Sequence, residues 1–374
     1  MTSPSALKPG FATLEGTRKF AARFAGGTAP GHYRERHGLM VSSIGIGTYL
    51  GEPDAATDKA YTEAICAAVA GGINLIDSAI NYRLQRSERS VGAAIAKLLS
   101  GDFAREELII CTKAGFLTPD GDMPADANDY FYREFISKGV FAVEDIAAGC
   151  HCMTPRYLED QLERSQRNLG VSCVDIFYLH NPETQLGEVS REEFNKRILA
   201  AFQALESAVG AGTIRAYGMA TWNAFRNDPR AQDYLSLEQM AGIARQAGGD
   251  EHHFKFVQLP FNLAMPEALM RPNQNVGGKT LSMVQAAREL GIALIGSASL
   301  LQTHLAGKVS EVIHATLGLR NDLECALQFV RSAPGITAGL VGMKRLDHVQ
   351  ANLKIAAIPP VPQEQFRRMF AAAR

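Results

Sequence analysis

An excess of either charge is missing from this chain: 38 Lys and Arg stand against 39 Asp and Glu in 374 residues. A surface without a dominant sign exerts no global pull on nucleic acid or on an anionic membrane. Long apolar runs are missing too, and none approaches the roughly 18 residues that a membrane-spanning helix needs. The opening stretch, MTSPSALKPGFATLEGTRKF, lacks the continuous apolar core of a secretory signal. A soluble, cytoplasmic protein without nucleic-acid or membrane partners is therefore expected.

Cysteine is scarce. The six thiols are Cys66, Cys111, Cys150, Cys152, Cys173 and Cys325. Three sit in apolar patterns, where a thiol behaves as a small hydrophobe. The one cluster is GCHC at Gly149–Cys152. A structural zinc site needs about four ligands, and no second Cys/His pair at finger spacing follows. No metal is expected there.

What is present is a regular alternation. Eight short apolar runs read as strands: SSIGIG (42–47), INLID (73–77), ELIICTK (107–113), CVDIFYLH (173–180), RAYGMA (215–220), FKFVQLP (254–260), IALIGS (292–297) and TAGLVGM (337–343). Helical patterns separate them, which argues for parallel strands covered on both faces. TPRYLEDQLERSQRNLG carries Thr154 as N-cap, Pro155 at the first helical position and Gly170 as the stop. The next helix repeats Phe194, Ile198, Phe202, Leu205 and Val209 at three- and four-residue spacing. Further helical patterns cover 60–70, 87–99, 234–247, 280–290, 323–330 and 346–355.

Eight such units predict an α/β fold, a (β/α)8 TIM barrel, rather than an open sheet. No composition shift marks a second domain, so residues 1–374 are read as one barrel. Residues 1–38 form an N-terminal arm, in which HYRERHGLMV suggests a hairpin closing the floor and RKFAARF (18–24) a helix packed on the barrel. Residues 359–374 form a tail. A long insertion, 114–153, follows strand three. Its rings, Phe116, Tyr130, Phe131, Tyr132, Phe135 and Phe141, argue against disorder, and a lid over the barrel mouth is expected.

Residues at the C-terminal ends of barrel strands face the active site. Here strand two ends in Asp77 with Tyr82 beyond it, strand three in Lys113 and strand four in His180. Each alone reads more simply as a cap, a rim ring, a surface charge or a core histidine. All four around one mouth do not. His252 and His253 precede strand six and are expected to be structural.

GIGTY (45–49), IDSAINY…SE…VG (76–92), ICTK (110–113), DIFYLHNP (175–182), YGMATW (217–222), VQLPFN (257–262) and VGMKRLDHVQANL (341–353) together resemble the aldo-keto reductase superfamily. The resemblance implies that Asp77, Tyr82, Lys113 and His180 are a catalytic tetrad. Asp77 would hold Lys113, Lys113 would lower the phenol pKa of Tyr82, and His180 would donate to the carbonyl oxygen. It implies a nicotinamide cofactor, NADP(H) in preference to NAD(H). Contacts are expected from Thr48, Asp77, Thr221, Gln258 and Ser297 near the nicotinamide, and from Leu300, Leu301 and Gln302 along the pyrophosphate. Lys344 and Arg345 would read a 2′-phosphate, with His348 and Asn352 beside the adenosine. Tyr49, Tyr82, His180 and Trp222 are expected around a small carbonyl or alcohol substrate, Trp222 either walling the site or only packing.

The chain also departs from the family pattern. Ala220-Thr221 replaces a common Ser-Asn, Ser297 a stacking Tyr, and Ala351 a Glu near the adenine. Two alternatives stand beside the reductase reading. One is an NAD-dependent sugar or sugar-lactone dehydrogenase of the same fold. The other is a regulatory or scaffold barrel that binds NADPH without turnover.

Overall fold

A computed structural model describes residues 6–300 and 309–371. Eight strands close into a barrel: β1 (Ile44–Gly47), β2 (Leu75–Asp77), β3 (Ile109–Ala114), β4 (Val174–His180), β5 (Ile214–Ala220), β6 (Phe254–Pro260), β7 (Ala293–Ser297) and β8 (Ile336–Gly342). They pair in sequence order, all parallel, and β8 returns to β1. The helices between and after them are α1 (Ala55–Ala70), α2 (Arg86–Leu99), α3 (Pro155–Leu169), α4 (Arg191–Gly210), α5 (Leu237–Gly248), α6 (Met283–Glu289), α7 (Asp322–Ser332) and α8 (Leu346–Ala356). The expected (β/α)8 barrel is what the chain forms.

Strand alternation builds the interior. Leu75, Ile109, Cys111, Ile176, Tyr178, Phe256, Ala293 and Ile295 share one buried cluster inside the barrel. One step further along those same inward rows stand Asp77, Lys113, His180, Gln258 and Ser297. The apolar plug thus ends, and a polar layer begins, at the C-terminal mouth. The opposite rows, including Ile76, Ile110, Phe177 and Leu179, join the larger cluster under the helices.

The floor is closed from the N-terminal side. Strands Tyr33–Arg36 and Leu39–Ser42 form an antiparallel hairpin, and Leu39 and Val41 enter the interior cluster. This hairpin runs past residue 38, the expected end of the arm. Helix Leu14–Arg23 lies beside it, with Phe20 buried against Phe24 and Phe103, so RKFAARF packs on the barrel as expected. His253 and Tyr217 both bond Glu206 and serve structure.

Two local expectations are corrected. Thr154 stands at the N-cap of α3, but its hydroxyl makes no cap and faces the Cys152 thiol at 3.5 Å. Residues 280–282 are not helical: Pro272–Val276 and Lys279–Ser282 form a hairpin, and α6 starts only after Ser282. Gly277 and Gly278, both at positive φ, make the tight turn that a two-residue hairpin requires. Within the tail, Gln363–Ala371 is a helix.

The insertion is also different from a simple lid. Phe135 and Phe141 stack on each other and meet Tyr157 of α3, with Tyr130 and Phe131 beside them. The Arg164 guanidinium covers Phe135. These rings make a small core on the outer face of α3, Tyr132 is exposed, and only Phe116 at the insertion's root reaches the mouth. Clustering hides more apolar area than a lid open to water on one side would.

Candidate active site

Lys113 is fully buried, and its Nζ donates to Asp77 Oδ2 at 2.6 Å and to the Ser78 carbonyl at 2.7 Å. The other Asp77 oxygen accepts from Gln258 Nε2 at 2.8 Å. A buried carboxylate needs partners on both oxygens, and strands β3 and β6 supply them. The same ammonium lies 5.0 Å from the centre of the Tyr82 ring. Burial acts to lower the Lys113 pKa, but Asp77 and Tyr82 outweigh it and hold the ammonium above its usual range. The Thr48 hydroxyl lies 3.1 Å from the Asp77 carbonyl, to which it can donate, and 3.0 Å from Ser78 Oγ, so it serves the scaffold.

Tyr82 stands among close neighbours. Its ring meets Tyr49 at 4.9 Å and His180 at 5.7 Å, both edge-on, with Lys113 over its face. Burial raises its phenol pKa, and the pull of Lys113 in the other direction does not overcome it. Lys113 thus acts in the expected, lowering direction, and burial works against it.

The turn that presents Tyr82 is left-handed. Arg83, Leu84 and Gln85 all have positive φ, a conformation costing about 1–2 kcal/mol per L-residue. The buried Arg83 guanidinium holds it, donating to Asp58 Oδ1 at 2.7 Å and to Ser87 and Ser90, with its face on the Tyr61 ring. Gly121 of the insertion donates its backbone N–H to the Leu84 carbonyl and so clamps the outside.

His180 is neutral, because burial and then Lys113 push its pKa far below the usual imidazole value. Its Nδ1 lies 3.2 Å from Asn81 Oδ1. In that arrangement Nδ1 carries the proton and Nε2 offers a lone pair. Turning the Asn81 amide over exchanges the two, so the expected donor role of His180 depends on a residue that sequence reading passed over. Phe116 stands edge-on to the same imidazole at 5.1 Å. Buried Glu183 accepts from the Trp222 backbone N–H at 2.8 Å while its second oxygen has no partner among the described residues. Burial pushes that carboxyl up to about 7. Trp222 and Tyr49 remain 47% and 59% exposed at the rim.

Other expected contacts are more scattered. The Thr221 hydroxyl is buried without a partner among the described residues, and Ser297 is half-buried on the inward row. Lys344, Arg345 and His348 are exposed at the start of α8, with Asn352 half-buried one turn on. Arg345 closes its fork on Asp347 at 2.7 and 3.0 Å. Leu300 is half-buried against the outer core, whereas Leu301 and Gln302 lie outside the described residues. Among the described residues no His, Cys, Asp and Glu gather into a metal site.

This arrangement can be compared with known proteins. A family model of the aldo/keto reductases matches residues 43–374. The chain belongs to the aldo/keto reductase family. It is 28% identical over 185 residues to a D-threo-aldose 1-dehydrogenase from Pseudomonas sp, covering 49% of this chain and 50% of that one. It is 26% identical over 196 residues to human aldo-keto reductase family 1 member C1, covering 50% and 49%. The chain thus spans about half the length of the curated relatives it matches. Among solved structures, an aldo/keto reductase from Klebsiella pneumoniae in complex with NADP and acetate superposes with a TM-score of 0.61 at 17% identity, over 92% of this chain and 95% of that one. The glycerol dehydrogenase AKR11B4 from Gluconobacter oxydans gives 0.63 at 16% identity, over 92% and 95%. At such identities this likeness concerns the barrel. Within this aldo/keto reductase, Asn81, Gly115 and His151 are neighbours of His180 whose part in the site sequence reading passed over.

Proposed function

We propose that this aldo/keto reductase is an NADP(H)-dependent oxidoreductase that interconverts an aldehyde or ketone with its alcohol, using Tyr82 as general acid and base. The observation that carries the reading is the buried Asp77–Lys113 pair set against the face of Tyr82, with His180 at the ring's edge. A protonated phenol can give its proton to the oxygen on which charge develops. Lys113, kept charged by Asp77, stabilises the tyrosinate that is left. With the Asn81 amide nitrogen toward Nδ1, His180 presents an Nε2–H to the same oxygen. Such a donor typically contributes on the order of 3 kcal/mol to lowering the barrier.

The residues fit the cofactor. A carboxamide is both donor and acceptor, and the unpartnered Thr221 hydroxyl and the remaining oxygen of Gln258 match it. Lys344 is an exposed cation beside the N-terminus of α8, which favours phosphate. Held by these residues, the cofactor would supply or accept the hydride. The Klebsiella relative's complex with NADP agrees with this assignment.

A sugar dehydrogenase is the second reading, favoured by the match to the D-threo-aldose 1-dehydrogenase and by the fork of Arg345 being taken by Asp347. A scaffold barrel has no need of a buried cation tuned to a phenol, so the tetrad geometry counts against that alternative. A panel of aldehydes and ketones with NADPH, and of alcohols and aldoses with both oxidised nicotinamides, tests the proposal by nicotinamide absorbance. Turnover of carbonyls with NADPH is expected; turnover of aldoses alone with NAD would favour the second reading, and no turnover at all would contradict both.

A further inference from the structure

We propose that His151, carried on the insertion, is a positioning residue of the active site: its imidazole fixes the backbone on which His180 stands. The inference rests on the proposed function, since it gives His151 a part in the same reaction.

The pairing of β3 with β4 ends at Ala114 opposite Leu179, so the His180 carbonyl lies one residue beyond the last pair. A buried carbonyl there needs a donor from elsewhere. His151 Nε2 supplies it at 2.8 Å. The proton's place on Nε2 is determined by the neighbours. Arg197 donates to Gln185 Oε1 at 2.6 Å, which fixes the Gln185 amide, and Gln185 Nε2 then donates to His151 Nδ1 at 3.0 Å. Burial holds His151 near a pKa of about 4, so the ring stays neutral and Nδ1 stays free to accept.

The surroundings are shaped to this contact. Gly115 has φ +149°, and a Cβ built on it would stand 2.7 Å from His151 Nε2 and 2.8 Å from the His180 carbonyl. Phe116 stands edge-on to both imidazoles, 5.2 Å from His151 and 5.1 Å from His180. Within the GCHC segment it is the His151 imidazole, through its hydrogen bonds, that carries this role. Because a misplacement of about 1 Å can cost roughly a hundredfold in rate, loosening the His180 backbone should be felt in turnover.

Two substitutions separate position from packing. In His151→Gln the amide nitrogen falls near Nε2 and can still reach the His180 carbonyl. In His151→Asn it falls near Nδ1 and cannot. Steady-state carbonyl reduction and NADPH titration are measured on both and on wild type. The Gln variant is expected within about threefold of wild-type kcat, and the Asn variant at least tenfold below it, with equal NADPH affinity. Equal kcat in the two folded variants would overturn the inference. Should circular dichroism find either variant unfolded, Gln185→Met replaces it: a kcat loss of at least fivefold at constant NADPH affinity supports the inference, and wild-type kcat overturns it. Ring nitrogen-15 spectra of His180 carry the test without turnover. A shift in the Asn variant alone supports the inference, and an unmoved resonance overturns it. A wild type that turns over nothing on the panel would sink the proposed function and leave this spectrum to decide.

Discussion

Lys113 and Asp77 form a buried ion pair: the ammonium, fully shielded from solvent, sits 2.6 Å from Asp77 Oδ2, and among the described residues that carboxylate is the one charge of opposite sign it bonds. Removing one partner of such a pair strands the other, which costs more than the pair itself contributes. Asp77→Asn is therefore expected to destabilise the fold by about 3–5 kcal/mol and to reduce turnover strongly. Urea denaturation beside steady-state kinetics checks both. Unchanged stability would mean that Lys113 finds another counter-charge.

Arg345 and Asp347 form an exposed pair, and exposed, solvent-screened pairs contribute little to stability. The carboxylate nonetheless repels a 2′-phosphate and occupies the guanidinium that would bind it. Asp347→Ala should tighten NADPH binding severalfold and leave NADH nearly unchanged, whereas Lys344→Ala should weaken NADPH selectively. Fluorescence titration of both nucleotides reads the difference.

Glu183 gives a pH dependence of defined sign. Its folded pKa is raised, by burial first, to about 7 against an ordinary 4.5. The folded state thus holds the proton more tightly than the unfolded chain, so this group's contribution is favourable below pH 4.5 and is lost as pH rises through about 7. Glu183→Gln should remove that loss. The difference in unfolding free energy between variant and wild type should shift in the variant's favour by on the order of 3 kcal/mol between pH 4 and pH 8. A flat difference would mean the folded carboxyl titrates as it does in the unfolded chain.

Gly115→Ala adds a methyl where the backbone has φ +149° and two polar atoms stand under 3 Å away. Both effects destabilise, and a loss of about 2–4 kcal/mol is expected. Thermal melting measures it, and the damage should include turnover, since the crowded atoms belong to His151 and His180.

Much of this molecule is legible before folding. Parallel strands buried on both faces must be apolar, so all eight stand out, and because side chains alternate, Asp77, Lys113 and His180 extend rows that begin with Leu75, Cys111 and Tyr178. The hairpin at 272–282 hid because its strands are polar and short; Gly277-Gly278 was the readable sign. The insertion's rings turned to α3 because sequence reveals that a ring is buried, not against what. Asn81 and His151 act on partners 99 and 29 residues away through single hydrogen bonds, and no spacing announces such a contact.

The central claim is that the phenol of Tyr82 carries the proton. Tyr82→Phe removes one oxygen and keeps the ring that packs on Tyr49 and His180. Measured by nicotinamide absorbance on the best carbonyl substrate, its kcat should fall by about two to four orders of magnitude while NADPH affinity is retained. Wild-type kcat in that variant would contradict the account.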